Sequence, residues 1–268
     1  MKLRILSLGA GVQSTTLALM AARGEFPGEP LDGAIFADTQ WEPRAVYNHL
    51  AWLTPLLPFP VHVVSAGSIR EAILSRTTTE GGRISAIPWF VVNPDGSTGM
   101  GRRFCTREYK LTPITHKLRD LLGVDRRGRV ARGAVEQWVG ISRDEASRMK
   151  DARQQWIVNR WPLVERLMSR DDCLRWLKAH GYPTPPKSAC IGCPFHNRRG
   201  WQEMKANDPE AFADAVAVDA ALRAGAGGTR GLEYMHASRL PLAEAVDRMA
   251  PAHEPNLFEH ECEGMCGV

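Results

Sequence analysis

Leu6-Ser7-Leu8-Gly9-Ala10-Gly11-Val12-Gln13-Ser14-Thr15-Thr16 runs from an apolar strand through a small-residue turn into a helix. Gly9 and Gly11 are expected to supply positive φ and close backbone approach. Ser14, Thr15 and the first free amides of the helix then face an arriving phosphate or sulfate. An ordinary strand-to-helix turn has the same glycine pair, so this stretch alone leaves both readings open.

Outward from the turn, Leu3 to Leu8, Gln13 to Ala22, Gly33 to Ala37, Pro43 to Leu53, Val61 to Ser65 and Ser68 to Ser75 alternate between strand and helix patterns. That alternation gives right-handed βαβ crossovers and an α/β fold, a parallel sheet with helices on both faces. Residues 77 to 104 lose periodicity and read as a loop with one hairpin, of the kind that covers a binding site. Leu111 to Leu122 returns as a helix, Val135 to Ile141 as a fourth strand, and Asp171 to His180 as a helix started near Ser169. We divide the chain into a sheet domain at 1–198 and, at 199–268, a C-terminal helical extension ending in a cysteine-bearing tail.

The 268 residues are 44% hydrophobic and 24% charged, enough to bury a sizeable core. The first strand starts almost at Met1 with no apolar leader, and no run spans a bilayer, so a cytoplasmic location and no membrane partner are expected. In that compartment six cysteines are ligands or redox groups rather than disulfides. A net charge of +4 suits an anionic small molecule. Arg126-Arg127-Gly128-Arg129 and Arg198-Arg199 leave nucleic acid open, or are solvated basic loops.

Three groups of residues carry chemistry. Asp38, at the end of the second strand, shares a sheet edge with the glycine turn, where it holds a ribose hydroxyl or a metal, or else caps the next helix. Arg102, Arg103, Arg107 and Lys110 surround Cys105, an arrangement that lowers a thiol pKa and attracts an anion, and Arg143 follows the fourth strand to the same edge. Cys190-Ile191-Gly192-Cys193-Pro194 has the spacing of a metal knuckle. Cys105 and Cys173 complete a thiolate set for an iron-sulfur cluster, with zinc, and His196 as a substitute ligand, the alternative. Three thiolates would leave one iron open for substrate or sulfide, and Cys173 alternatively reads as a small buried hydrophobe.

Gly9 to Ser14, Asp38-Thr39, Arg103-Phe104-Cys105-Thr106 through Lys110 and Pro113, Gly140 to Arg148, and Gly192-Cys193 together resemble the phosphoadenosine phosphosulfate (PAPS) reductase family of the PP-loop ATP pyrophosphatase superfamily. The resemblance runs in order from residue 5 to about 195. It implies a five-stranded nucleotide-hydrolase-like sheet with an adenine nucleotide across the strand ends, its anionic end on Ser7, Gly9, Ala10, Gly11, Gln13 and Ser14. ATP-cleaving relatives carry Asp at the position of Gln13, and the amide here suits sulfate, while aspartate suits magnesium beside a pyrophosphate. Phe104-Cys105 stands where cluster-bearing members have a cysteine pair. The tail Glu261-Cys262-Glu263-Gly264-Met265-Cys266 matches only the Glu and Cys of the family's Glu-Cys-Gly-x-His.

The leading reading is reduction of a sulfonucleotide, PAPS or adenylyl sulfate, with a [4Fe-4S] cluster on Cys105, Cys190 and Cys193 and with Cys173 as the candidate for the fourth ligand that Phe104 does not supply. Arg103, Arg107, Lys110 and Arg143 neutralise the anion, Cys262 attacks sulfur and Cys266 resolves the product. Cys262, Cys266 and Arg143 are the catalytic candidates, with a thioredoxin-like reductant and a homodimer as partners. A second reading is an ATP- and magnesium-dependent sulfur transferase that thiolates nucleic acid. A third is a nucleotide-binding subunit without turnover.

Overall fold

The computed structural model describes residues 2–75, 87–226 and 230–249. Along the chain run β1 (Leu3–Ser7), α1 (Val12–Ala22), β2 (Gly33–Asp38), α2 (Arg44–Leu53), β3 (Val61–Ser65) and α3 (Ile69–Ser75). A hairpin of β4 (Phe90–Val92) and β5 (Thr98–Met100) precedes α4 (Thr112–Leu121), β6 (Val135–Val139), β7 (Ile157–Arg160), α5 (Pro162–Glu165) and α6 (Arg170–Ala179). The described chain closes with α7 (Arg198–Asn207), α8 (Pro209–Ala221), β8 (Leu232–Tyr234) and α9 (Leu242–Asp247). The tail with Cys262 and Cys266 lies outside the described residues.

Five strands form one sheet in the order β3-β2-β1-β6-β7, with every pairing parallel. The order reverses direction at β1, so the C-terminal ends of β1 and β6 open a crevice above the glycine turn. Alternate residues of the strands face opposite sides. Leu6, Phe36 and Trp138 pack with α1, α2 and α6, whereas Ile5, Ile35, Val135 and Ile157 pack with Ile114 and Leu118 of α4. Helices therefore cover both faces, as the strand-helix alternation predicts.

A third core packs Trp41, Ile69, Ile73 and Tyr109 with Trp201, Phe212, Val218 and Leu222, on and just after α7 and α8. β8 also adds to the β4-β5 hairpin as a third, antiparallel strand. Good caps set several boundaries. Ser169 and Asp172 form a reciprocal capping box at α6, and Asp208 caps α8, whose first residue is Pro209.

Candidate functional site

The glycine turn departs from expectation in its backbone. The left-handed residue is Ala10, at φ 58°, and neither Gly9 nor Gly11 has positive φ. An alanine there carries about 1–2 kcal/mol of strain, held in place because Ala10 is wholly buried in the core. Gly11 is the extended N-cap of α1 and has no side chain to occupy its free amides. Beyond the turn, Gly140 meets the α1 backbone so closely that a Cβ on it would stand 2.8 Å from the Ser14 amide nitrogen.

A narrow cavity of about 60 Å³ opens on this turn. Ser7, Gly9, Gly11, Gln13 and Ser14 line it as expected, and so do Glu42, Lys110, Gly140 and Ser188. Gln13 lines it with its amide otherwise engaged: Nε2 donates to Ser142 Oγ at 3.4 Å and to Glu145 Oε2 at 3.1 Å. An amide nitrogen has two hydrogens, so the expected donation from Gln13 to a bound sulfate gives way to a buried tie between α1 and the loop after β6. Glu145 also accepts from Arg148.

Beside this cavity lies a second, smaller space of about 30 Å³. Cys105, Cys190 and Cys193 all line it, with Arg103, Thr39 and Lys110. Lys110 therefore borders both spaces. It sits in a π-helical turn, Thr106–Leu111, which leads into α4 and buries both Tyr109 and Lys110 while Arg107 faces outward. Burial pushes the Tyr109 hydroxyl up to about 12, so it stays a neutral phenol.

Glu42 joins the two spaces, a role the sequence reading missed. Its Oε1 accepts from Thr39 at 3.2 Å, from Lys110 Nζ at 3.5 Å and from the Cys190 thiol at 3.5 Å. Its side chain is 1% exposed, and among the described residues Oε2 has no hydrogen-bond partner. A buried carboxylate oxygen on a cavity wall is satisfied by a ligand hydroxyl, amine or cation. The clue in the sequence was position: Thr39 to Glu42 follows directly on the end of β2, at the edge where the glycine turn opens.

The cysteine pair is held by backbone. Cys193 N donates to Cys190 O at 3.0 Å, Ile191 N to Trp41 O at 2.8 Å, and His196 Nε2 contacts Cys190 O at 2.9 Å. Gly192 lies flat on the Trp41 indole, whose Nε1 donates to Asp214 of α8. Burial lowers the His196 pKa to about 4, so the ring is neutral at pH 7 and Nε2–H donates to Cys190. That bond occupies Nε2, while Nδ1 is buried with no hydrogen-bond partner among the described residues.

Several expected site residues stand elsewhere. Cys173 is wholly buried in the core under α1, among Leu17, Leu163 and Leu177, and burial pushes its thiol up to about 12. The structure corrects its assignment as fourth ligand, because its place on the apolar stripe of α6 turns it into the core. Asp38 caps no helix, since Pro43 is the N-cap of α2. Its Oδ1 accepts from Gln40 N at 2.7 Å and from the Tyr47 hydroxyl at 2.8 Å. Arg143 is exposed at the start of a short 3-10 turn, and Arg107 lines a different cavity. Arg103 stacks over Phe195 at 5.2 Å beside the cysteines.

Cys105, Cys190 and Cys193 thus line one space, and Cys173, the fourth cysteine of the described residues, does not. Among the described residues no three His, Cys, Asp or Glu side chains converge closely enough to form a metal-binding group.

No family model and no curated protein matches the chain. Among solved structures it is similar to phosphoadenylyl-sulfate (PAPS) reductase from Candida auris, in complex with phosphate. The alignment covers 69% of this chain and 76% of that one, with a TM-score of 0.44 and 12% sequence identity. No helix among the described residues is long and apolar enough to cross a membrane.

Proposed function

We propose that the chain is an adenine-nucleotide-dependent sulfur enzyme of the sulfonucleotide reductase type. The observation that carries this reading is that Lys110 borders both the glycine-turn cavity and the cysteine space, with Glu42 bonded to it and to Cys190. An anion seated on the free amides of α1 is thereby within reach of the cation that also flanks the thiols. The 60 Å³ space takes a sulfate- or phosphate-sized group, and the rest of the nucleotide extends along the strand ends.

A cluster would be held by Cys105, Cys190 and Cys193 and would supply redox capacity beside the anion. The chain's own residues do the rest. Gly9, Gly11 and Ser14 bind the anion, Lys110 balances its charge, and Glu42 orients Lys110 and Cys190. The Cys262 thiolate attacks the sulfate sulfur, forming an S–S bond as the sulfur–oxygen bond to the nucleotide breaks and the nucleotide phosphate leaves. Cys266 thiolate then attacks the Cys262 sulfur and releases sulfite, leaving a disulfide that a dithiol reductant returns to thiols.

The corresponding experiment is sulfite release from PAPS and from adenylyl sulfate with a dithiol reductant, on anaerobically purified protein. Sulfite from one of them, lost in Cys262→Ser, is expected. No sulfite from either, or full turnover by Cys262→Ser, overturns the mechanism.

Two observations favour a second reading, ATP-dependent sulfur transfer to nucleic acid. Among the described residues three cysteines line the space, which in a bound cluster would leave one iron position for sulfide, and the Gln13 amide faces Glu145 and Ser142, so it no longer argues for sulfate over ATP. Mass spectrometry of nucleic acid from cells with and without the gene distinguishes the two, since a sulfur-bearing nucleotide arises only from transfer.

A further inference from the structure

Against α4, over β6 and β7, lies a cavity of about 430 Å³, far larger than either space above. Arg107, His116, Lys150 and Arg153 line it, and Asp151 is its one carboxylate. Arg107, Lys150 and Arg153 are exposed and form no ion pair among the described residues. Uncompensated cations around a concavity draw an anionic ligand.

The amides of Gln137, Gln154 and Asn159 also line it, and Gln137 is 5% exposed with no side-chain hydrogen bond among the described residues. Amides paired with phosphate-binding cations are the groups that read base edges. The volume falls in the range of small-ligand sites, room for about one nucleotide unit.

The positive surface continues past the cavity. Arg119 of α4 stacks on Trp156 at 5.6 Å and donates to Gly128 O at 2.7 Å, tying down the loop that carries the exposed Arg126, Arg127 and Arg129. Ile114 lines both this cavity and the glycine-turn cavity, so the two adjoin. A pocket for one base, continued by a cationic track, matches single-stranded nucleic acid better than a duplex, whose bases are not splayed out.

We propose that this cavity and the track beyond it bind a single-stranded nucleic acid, with one nucleotide seated beside the glycine turn. For its chemical meaning the proposal rests on the second reading above, in which that strand accepts sulfur.

Fluorescence anisotropy of the full chain with a labelled single-stranded oligonucleotide is the test, with salt titration and with duplex and polyglutamate as competitors. Binding that weakens with salt is expected. Lys150→Glu/Arg153→Glu, changes at two exposed side chains, is expected to weaken it at least about tenfold and to flatten the salt slope by roughly one for each phosphate that the native cations neutralise. Arg107→Ala provides a milder variant, with a smaller reduction expected. Absence of binding, equal binding by all variants, or competition by polyglutamate as strong as by the oligonucleotide overturns the proposal. Adenine nucleotide binding, followed by calorimetry on the same samples, separates the two claims. Nucleotide binding without oligonucleotide binding sinks this inference alone, and the reverse sinks the proposed function alone.

Discussion

Gly192 rests on the indole of Trp41 so closely that a Cβ at Gly192 would stand 2.0 Å from the ring carbon Cη2. No side chain fits there, which is why a glycine separates Cys190 from Cys193. The same indole donates to Asp214, and Asp214 is held by Arg70, so α3, α8 and the cysteine pair meet at one ring.

Gly192→Ala is therefore expected to push the indole aside and to destabilise the fold by about 1–3 kcal/mol, the usual cost of overpacking. In a Trp41→Leu background the same change costs less, because the obstructing ring carbon is gone. Urea denaturation of the four proteins gives the coupling. Additive losses show that the contact does not decide the position.

Glu42→Gln leaves Lys110 buried opposite a neutral amide. Breaking a buried pair costs about 3–5 kcal/mol, and a large fall in the urea midpoint is expected. Glu42→Gln/Lys110→Met removes both charges and is expected to recover much of the stability. Recovery of nucleotide binding is not expected, since Lys110 is the cation shared by both spaces. If the double variant binds adenine nucleotide as the native chain does, Lys110 has no part in the site.

Gln13→Asp brings a second carboxylate toward Glu145, whose Oε2 lies 3.1 Å from the native amide nitrogen. The expected outcome is a lower thermal midpoint, restored in part by Glu145→Gln in the same chain. A variant of native stability with weakened sulfonucleotide binding would instead show Gln13 contacting the anion.

His196 makes stability depend on pH. Its folded pKa, about 4, lies below the ordinary 6.5, so between those values the unfolded chain binds more protons than the folded one. Its contribution is fully present above pH 6.5 and is lost as pH falls toward 4, by up to about 3 kcal/mol at 1.36 kcal/mol per unit. His196→Gln keeps a donor for Cys190 O and is expected to flatten this part of the curve, measured by urea denaturation from pH 8 to 4. An unchanged slope would place the titrating group elsewhere.

Much of the sheet was legible because strand and helix periods switch cleanly from β1 to α3 and again at α4 and β6. The edge strand β7 escaped, since Ile157 to Arg160 holds one buried residue, leaves Val158 exposed and shows no apolar-polar alternation of its own. β8 escaped for a related reason: three residues form a strand only because β4 offers an edge. At the site, the residues of the glycine turn and the grouping of Cys105 with Cys190 and Cys193 around one space could be read from residue type and order. Glu42 could not, because its significance comes from Lys110 and Cys190, 68 and 148 residues away in sequence. Cys173 misled through its type alone, and the alternative of a buried small side chain on an amphipathic helix is the one the fold adopts.

The unity of the anion turn and the cysteine space is tested most directly by alkylation. Anaerobic protein is treated with iodoacetamide, with and without PAPS, adenylyl sulfate or ATP, and labelling of Cys105, Cys190 and Cys193 is followed by peptide mass spectrometry. The site as described predicts that one of these nucleotides slows labelling of Cys190 at least several-fold and leaves the core residue Cys173 unlabelled throughout. Labelling of all three cysteines at the same rates with and without saturating nucleotide would contradict it and separate the turn from the thiols.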